Sequence, residues 1–170
     1  MIAEIHEHPV IVFGCGNPLL GDDGFGPAVI ERLNAQYTLP RCAFAADVGT
    51  SAGDLLFDFL LSPVKPTHLF IVDAMCQKGR AAGEVFEAYT EDMEQKEAAD
   101  YSLHQFPSVN LLKELQYPGG VTVRILAVQI ANIPEEVQPG LSEEVDQAVD
   151  AACQWLLREI GAIEQGQAHV

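Results

Sequence analysis

The stretch Val10–Gly26, VIVFGCGNPLLGDDGFG, decides the fold. Its opening residues, Val10, Ile11, Val12 and Phe13, are apolar and mostly β-branched, the pattern of a buried strand. Gly14, Gly16 and Gly21, with Asn17 and Pro18 between them, read as a turn-rich loop. Two adjacent acids follow, Asp22 and Asp23, then Gly24, Gly26 and Pro27. Proline is tolerated in a first helical turn because its missing N–H would have no partner there. A helix pattern then runs to about Tyr37. Two acids are thus held between a strand end and a helix start, where open α/β sheets bind ligands.

Outward from this stretch, strand and helix signals alternate. Cys42–Ala46 leads as a short strand into the turn Asp47-Val48-Gly49-Thr50. Ser51 is placed to cap a helix over Ala52–Leu61, with Leu55, Leu56, Phe59 and Leu60 on one stripe and Pro63 and Pro66 beyond its end. Thr67–Ala74 is a strand apolar on both faces, as the centre of a parallel sheet requires, and it ends at Asp73. Glu84–Tyr89 reads as an edge strand, and the charged stretch Thr90–Tyr101 as a solvated loop or short helix. A helix over about Pro107–Leu115, a strand over Val121–Ile130, an acidic loop over Pro134–Pro139 and a last helix from Ser142 complete the chain, with fraying expected from Glu164. This alternation is the α/β pattern, and no linker or repeat divides residues 1–170 into more than one domain.

Composition narrows the function. Apolar residues make up 48% of the 170, enough for a real core, and the formal charge is −16. That charge disfavours nucleic acid and anionic membranes as partners. The four cysteines, 15, 42, 76 and 153, form no C-x-x-C pair and read as reduced core residues. Met1–His8 is polar, without a signal-peptide pattern, and no apolar run approaches the roughly 20 residues of a membrane span. The expected location is the cytoplasm.

Several chemistries can be weighed against these residues. Gly14-x-Gly16 begins like a dinucleotide fingerprint, but Leu19 stands where the third glycine belongs, and two acids would repel a pyrophosphate. No P-loop lysine motif and no G-x-S-x-G elbow is present, which sets aside NTP hydrolysis and a serine hydrolase. Cys15 lies inside the key loop without a nearby base in sequence, so packing explains it better than catalysis. Asp22, Asp23, Asp73 and His104 all stand at element ends that can share one rim of the sheet. Oxygen and imidazole donors without thiolate suit a borderline divalent ion such as nickel or zinc. Each residue alone also has a plain explanation: an acid at a helix start favours the dipole, and Asp73 can cap its own loop. Their joint placement is the argument for a site.

The stretch Gly14–Leu33, GCGNPLLGDDGFGPAVIERL, closely resembles the opening motif of the nickel–iron hydrogenase maturation endopeptidases, G-x-G-N-x-L-x-x-D-(D/E)-G-x-G before a helix. The likeness continues through Asp47-Val48-Gly49-Thr50, similar to the family's D-G-G-T turn, and Phe70–Ala74, similar to its apolar strand ending in D-A. It ends at Leu103-His104-Gln105, similar to its S-x-H-Q. The resemblance implies a three-layer α/β domain with a twisted, mostly parallel sheet, an antiparallel edge strand and helices on both faces. It implies removal of the C-terminal extension from a hydrogenase large-subunit precursor after nickel insertion. By position it assigns Asp23, Asp73 and His104 to the metal, with Asp23 and Asp73 also candidates for catalysis, and it implies nickel supplied by the precursor. Attack by metal-activated water and by a carboxylate base both stay open. So does a nickel-sensing binding module of the same fold that cleaves nothing. Val48 departs from D-G-G-T, which leaves the role of Asp47 open.

Overall fold

The computed structural model of the chain describes residues 5–90 and 109–167. Its strands are β1 (Val10–Cys15), β2 (Ala43–Gly49), β3 (His68–Met75), β4 (Val85–Ala88) and β5 (Thr122–Gln129). Its helices are α1 (Phe25–Gln36), α2 (Ala52–Leu61), α3 (Val109–Gln116) and α4 (Glu143–Gln167). The strands form one sheet in the order β2-β1-β3-β5-β4, parallel throughout except for the antiparallel edge strand β4. β3, apolar on both faces, is the central strand, with a helix layer against each face.

Side chains alternate between two cores. Val10 and Val12 of β1, Phe70 and Val72 of β3, and Leu126 and Val128 of β5 face α1 and α4. Ile11, Phe13 and Cys15, Leu69 and Ile71, and Val123 and Ile125 face α2 and α3. The result is a helix–sheet–helix sandwich. No helix among the described residues is long and apolar enough to cross a membrane.

Three local expectations need correction. Ser51 occupies the position before α2, but its hydroxyl makes no capping bond; its backbone carbonyl accepts the N–H of Asp54 instead. Thr90 is buried rather than solvated, its hydroxyl donating to the Gln116 side chain at 3.2 Å. Cys76 is exposed, unlike a core cysteine, because β3 ends one residue before it. All four cysteines are free thiols. Residues 91–101 of the expected loop and the start of the helix expected from Pro107 lie outside the described residues.

β1 leads by α1 to β2 on one side and β2 by α2 to β3 on the other, so the strand order reverses between β1 and β3. A crevice opens at the carboxyl ends of strands flanking such a reversal. Here those ends are Cys15 and the residues beyond Val72.

Candidate active site

The loop leaving β1 is folded tightly into that crevice. Gly16 has φ +122°, and a Cβ there would sit 1.9 Å from the backbone oxygen of Asp23. Only glycine lets the chain double back this closely. Asn17 turns the loop, its side-chain oxygen accepting the Leu19 N–H at 3.0 Å. Residues Gly21–Gly24 then form one 3-10 turn that carries both acids. Gly26, at the start of α1, lies so near β1 and β3 that a Cβ would meet the carbonyl oxygens of Cys15 and Val72 at 2.2 and 2.5 Å. The helix start is thereby pressed onto the two strand ends.

Asp23 is 4% exposed, and its Oδ2 accepts the backbone N–H of Asn17 at 2.7 Å. Asp73, 7% exposed, continues the alternation of Leu69 and Ile71 and so points to the α2–α3 side. Its Oδ1 accepts the N–H of Ala74 at 2.8 Å. Burial pushes the Asp73 carboxyl up to about 7; the Ala74 N–H opposes this and the nearby Asp23 charge adds to it. The Cys15 thiol lies in the same field. Burial first, then Asp73, Asp47 and Asp23, hold it well above the usual thiol range, so it is a neutral core group and not a nucleophile.

The two adjacent acids have different surroundings. Asp22, 1% exposed, is turned to the segment 131–142. Its Oδ2 accepts the N–H groups of Ala131 (2.8 Å) and Asn132 (3.1 Å) and the hydroxyl of Ser142 (3.0 Å). Its Oδ1 accepts the Ser142 N–H at 2.7 Å. Asp22 is therefore saturated with donors and is not available to a ligand. Asp47 caps its own turn, accepting the Gly49 N–H at 2.9 Å, while the Gly49 carbonyl accepts the N–H of Gly16 at 3.1 Å.

Of the three residues expected at the metal, Asp23 and Asp73 come together at the β1–β3 crevice; His104 lies outside the described residues. Among the described residues no group of three or more His, Cys, Asp and Glu is placed to hold a metal ion. The two carboxylates nevertheless suit a divalent cation. Both are buried, the Asp23 charge raises the cost of ionising Asp73, and a positive charge between them would relieve it. Sequence reasoning missed the role of the segment 131–142, because its bonds to Asp22 join residues 109 to 120 positions apart.

The model of the hydrogenase maturation protease family matches residues 27–159. The chain is 29% identical over 150 residues to the hydrogenase 2 maturation protease of Escherichia coli, covering 87% of this chain and 88% of that protein. It is also 29% identical over 160 residues to a hydrogenase delta subunit of Methanothermobacter thermautotrophicus, covering 92% and 97%. Among solved structures it is similar to the hydrogenase maturating endopeptidase HybD of Escherichia coli, with a TM-score of 0.70 and 28% identity over 90% of this chain and 92% of that one. With a family match across most of its length, the α/β sandwich to go with it and buried acids at the strand reversal, the chain belongs to the hydrogenase maturation protease family.

Proposed function

We propose that this chain is the endopeptidase that removes the C-terminal extension of a nickel–iron hydrogenase large-subunit precursor once nickel has been inserted. In this reading Asp23, Asp73 and His104 meet nickel that the precursor itself presents. The observation that carries it is the pair of buried carboxylates, Asp23 and Asp73, at the strand reversal. Burying two such acids near each other is costly, and a cation arriving between them would offset part of that cost. A site completed by the substrate's own metal would make cleavage conditional on correct loading.

At the site, the precursor's nickel polarises the scissile carbonyl or the attacking water. Alternatively a carboxylate, Asp23 or Asp73, acts as the base that takes the proton of the attacking water.

Processing of a nickel-loaded precursor in vitro tests this. Asp73→Asn and His104→Ala are each expected to slow cleavage by at least about 100-fold, read as loss of the mobility shift of the mature subunit. Normal cleavage by both variants would refute the assignment. A second reading, a binding module without peptidase activity, is favoured by the likeness to a hydrogenase delta subunit. It predicts a stable complex with the loaded precursor and no cleavage by the wild-type chain.

A further inference from the structure

The bonds of Asp22 have a consequence for its neighbour. In a 3-10 turn successive side chains project about 120° apart, so one can grip the scaffold while the next faces the crevice. Four donors from Ala131, Asn132 and Ser142 hold the Asp22 carboxylate. Bonds of this charge-assisted kind are the strong ones, and a buried carboxylate cannot leave them without a large desolvation penalty. The backbone adds to the grip: the Gly21 N–H donates to the Gln138 carbonyl, and the Gln138 N–H to the Leu19 carbonyl, both at 2.9 Å. Pro134 lies so close that a Cβ on Gly21 would meet its Cδ at 2.8 Å. On the other flank Gly16 lies against the Asp23 backbone.

We propose that Asp22 is a positioning residue for the cleavage reaction: by locking the turn Gly21–Gly24 onto the segment 131–142, it fixes the Asp23 carboxylate against Asp73. This rests on the function proposed above. The segment 131–142 is then part of the active-site scaffold, although it contributes no group to the chemistry. A misplacement of Asp23 by about 1 Å would be felt in the chemical step more than in precursor binding.

The test compares Asp22→Asn and Ser142→Ala with the wild-type chain, using Asp73→Asn as a control. Three quantities are read: the melting temperature, kcat and KM for nickel-loaded precursor, and the amide resonance of Asn17, whose proton Asp23 accepts. Folded Asp22→Asn is expected to lose about 10–100-fold in kcat with KM within about threefold, and to move the Asn17 resonance. Ser142→Ala, which removes one donor and no charge, should move both in the same direction, with a loss of about threefold in kcat. Folded variants with wild-type kcat and an unmoved Asn17 resonance overturn the proposal; if Asp73→Asn is inactive in the same assay, the proposed function still stands. An active Asp73→Asn sinks the proposed function instead, and the Asn17 resonance then decides the role of Asp22. Should Asp22→Asn not fold, Ser142→Ala alone carries the decision, by the same two readouts.

Discussion

Asp73→Asn should melt higher than the wild-type chain at pH 8 while processing precursor at least about 100-fold more slowly. The Asp73 carboxyl titrates at about 7 in the fold, far above the ordinary carboxylate value, chiefly because it is buried. Between about pH 4 and 7 the unfolded chain has released this proton and the folded chain has kept it, so stability falls as pH rises through that window. Above it the full penalty applies; below about pH 4 it vanishes. Asparagine has the same shape, keeps an oxygen for the Ala74 N–H and carries no charge. The variant should therefore gain on the order of 2–4 kcal/mol at pH 8, a rise of about 5–10 °C in Tm, and nothing at pH 4. Thermal melts of both proteins from pH 4 to 8 check this. An equal Tm at every pH would mean that Asp73 is stabilised by charge neutralisation in the free protein and is not poised for a cation.

Gly16→Ala should lose at least about 100-fold in processing rate. The added methyl would sit 1.9 Å from the Asp23 carbonyl oxygen, at a φ of +122° that side chains rarely adopt. Relief requires the Asp23 turn to move, and that turn is held on its other side by the segment 131–142. Since the loop cannot shift as a whole, strain falls on the two bonds nearest the site: Asn17 N–H to Asp23, and Gly16 N–H to the Gly49 carbonyl. Kinetics on the folded variant, with its structure checked by circular dichroism, give the answer. A variant that processes normally would mean that the position of Asp23 is not critical.

Much of this arrangement was legible in the chain. Val10–Phe13 and Leu69–Val72 are apolar on both faces, which marks both as buried strands and β3 as central to a parallel sheet, where the structure pairs it with β1. Asp73 stands near the carboxyl end of β3 and Asp23 in the turn after the loop that leaves β1, so the carboxyl rim collects both. The division of labour between Asp22 and Asp23 was not legible. Their side chains are alike, and what separates them is a set of donors more than 100 residues away. The stretch Pro134–Pro139 reads as a plain acidic loop, yet Gln138 pairs through its backbone with Leu19 and Gly21, a bond that leaves no periodicity in sequence. Ser51 failed as a cap for a related reason: the backbone carbonyl of that same residue satisfies the Asp54 N–H instead. His104 was legible as a candidate at an element end, its metal role came from the family resemblance, and it lies outside the described residues.

The most direct measurement of the central claim is the position of a divalent ion in crystals soaked with nickel or cadmium, located by its anomalous scattering. The account predicts one ion in the β1–β3 crevice, within about 2–2.5 Å of the carboxylates of Asp23 and Asp73 and of the His104 imidazole. An ion bound elsewhere, with the imidazole of His104 directed away from both aspartates, would contradict it.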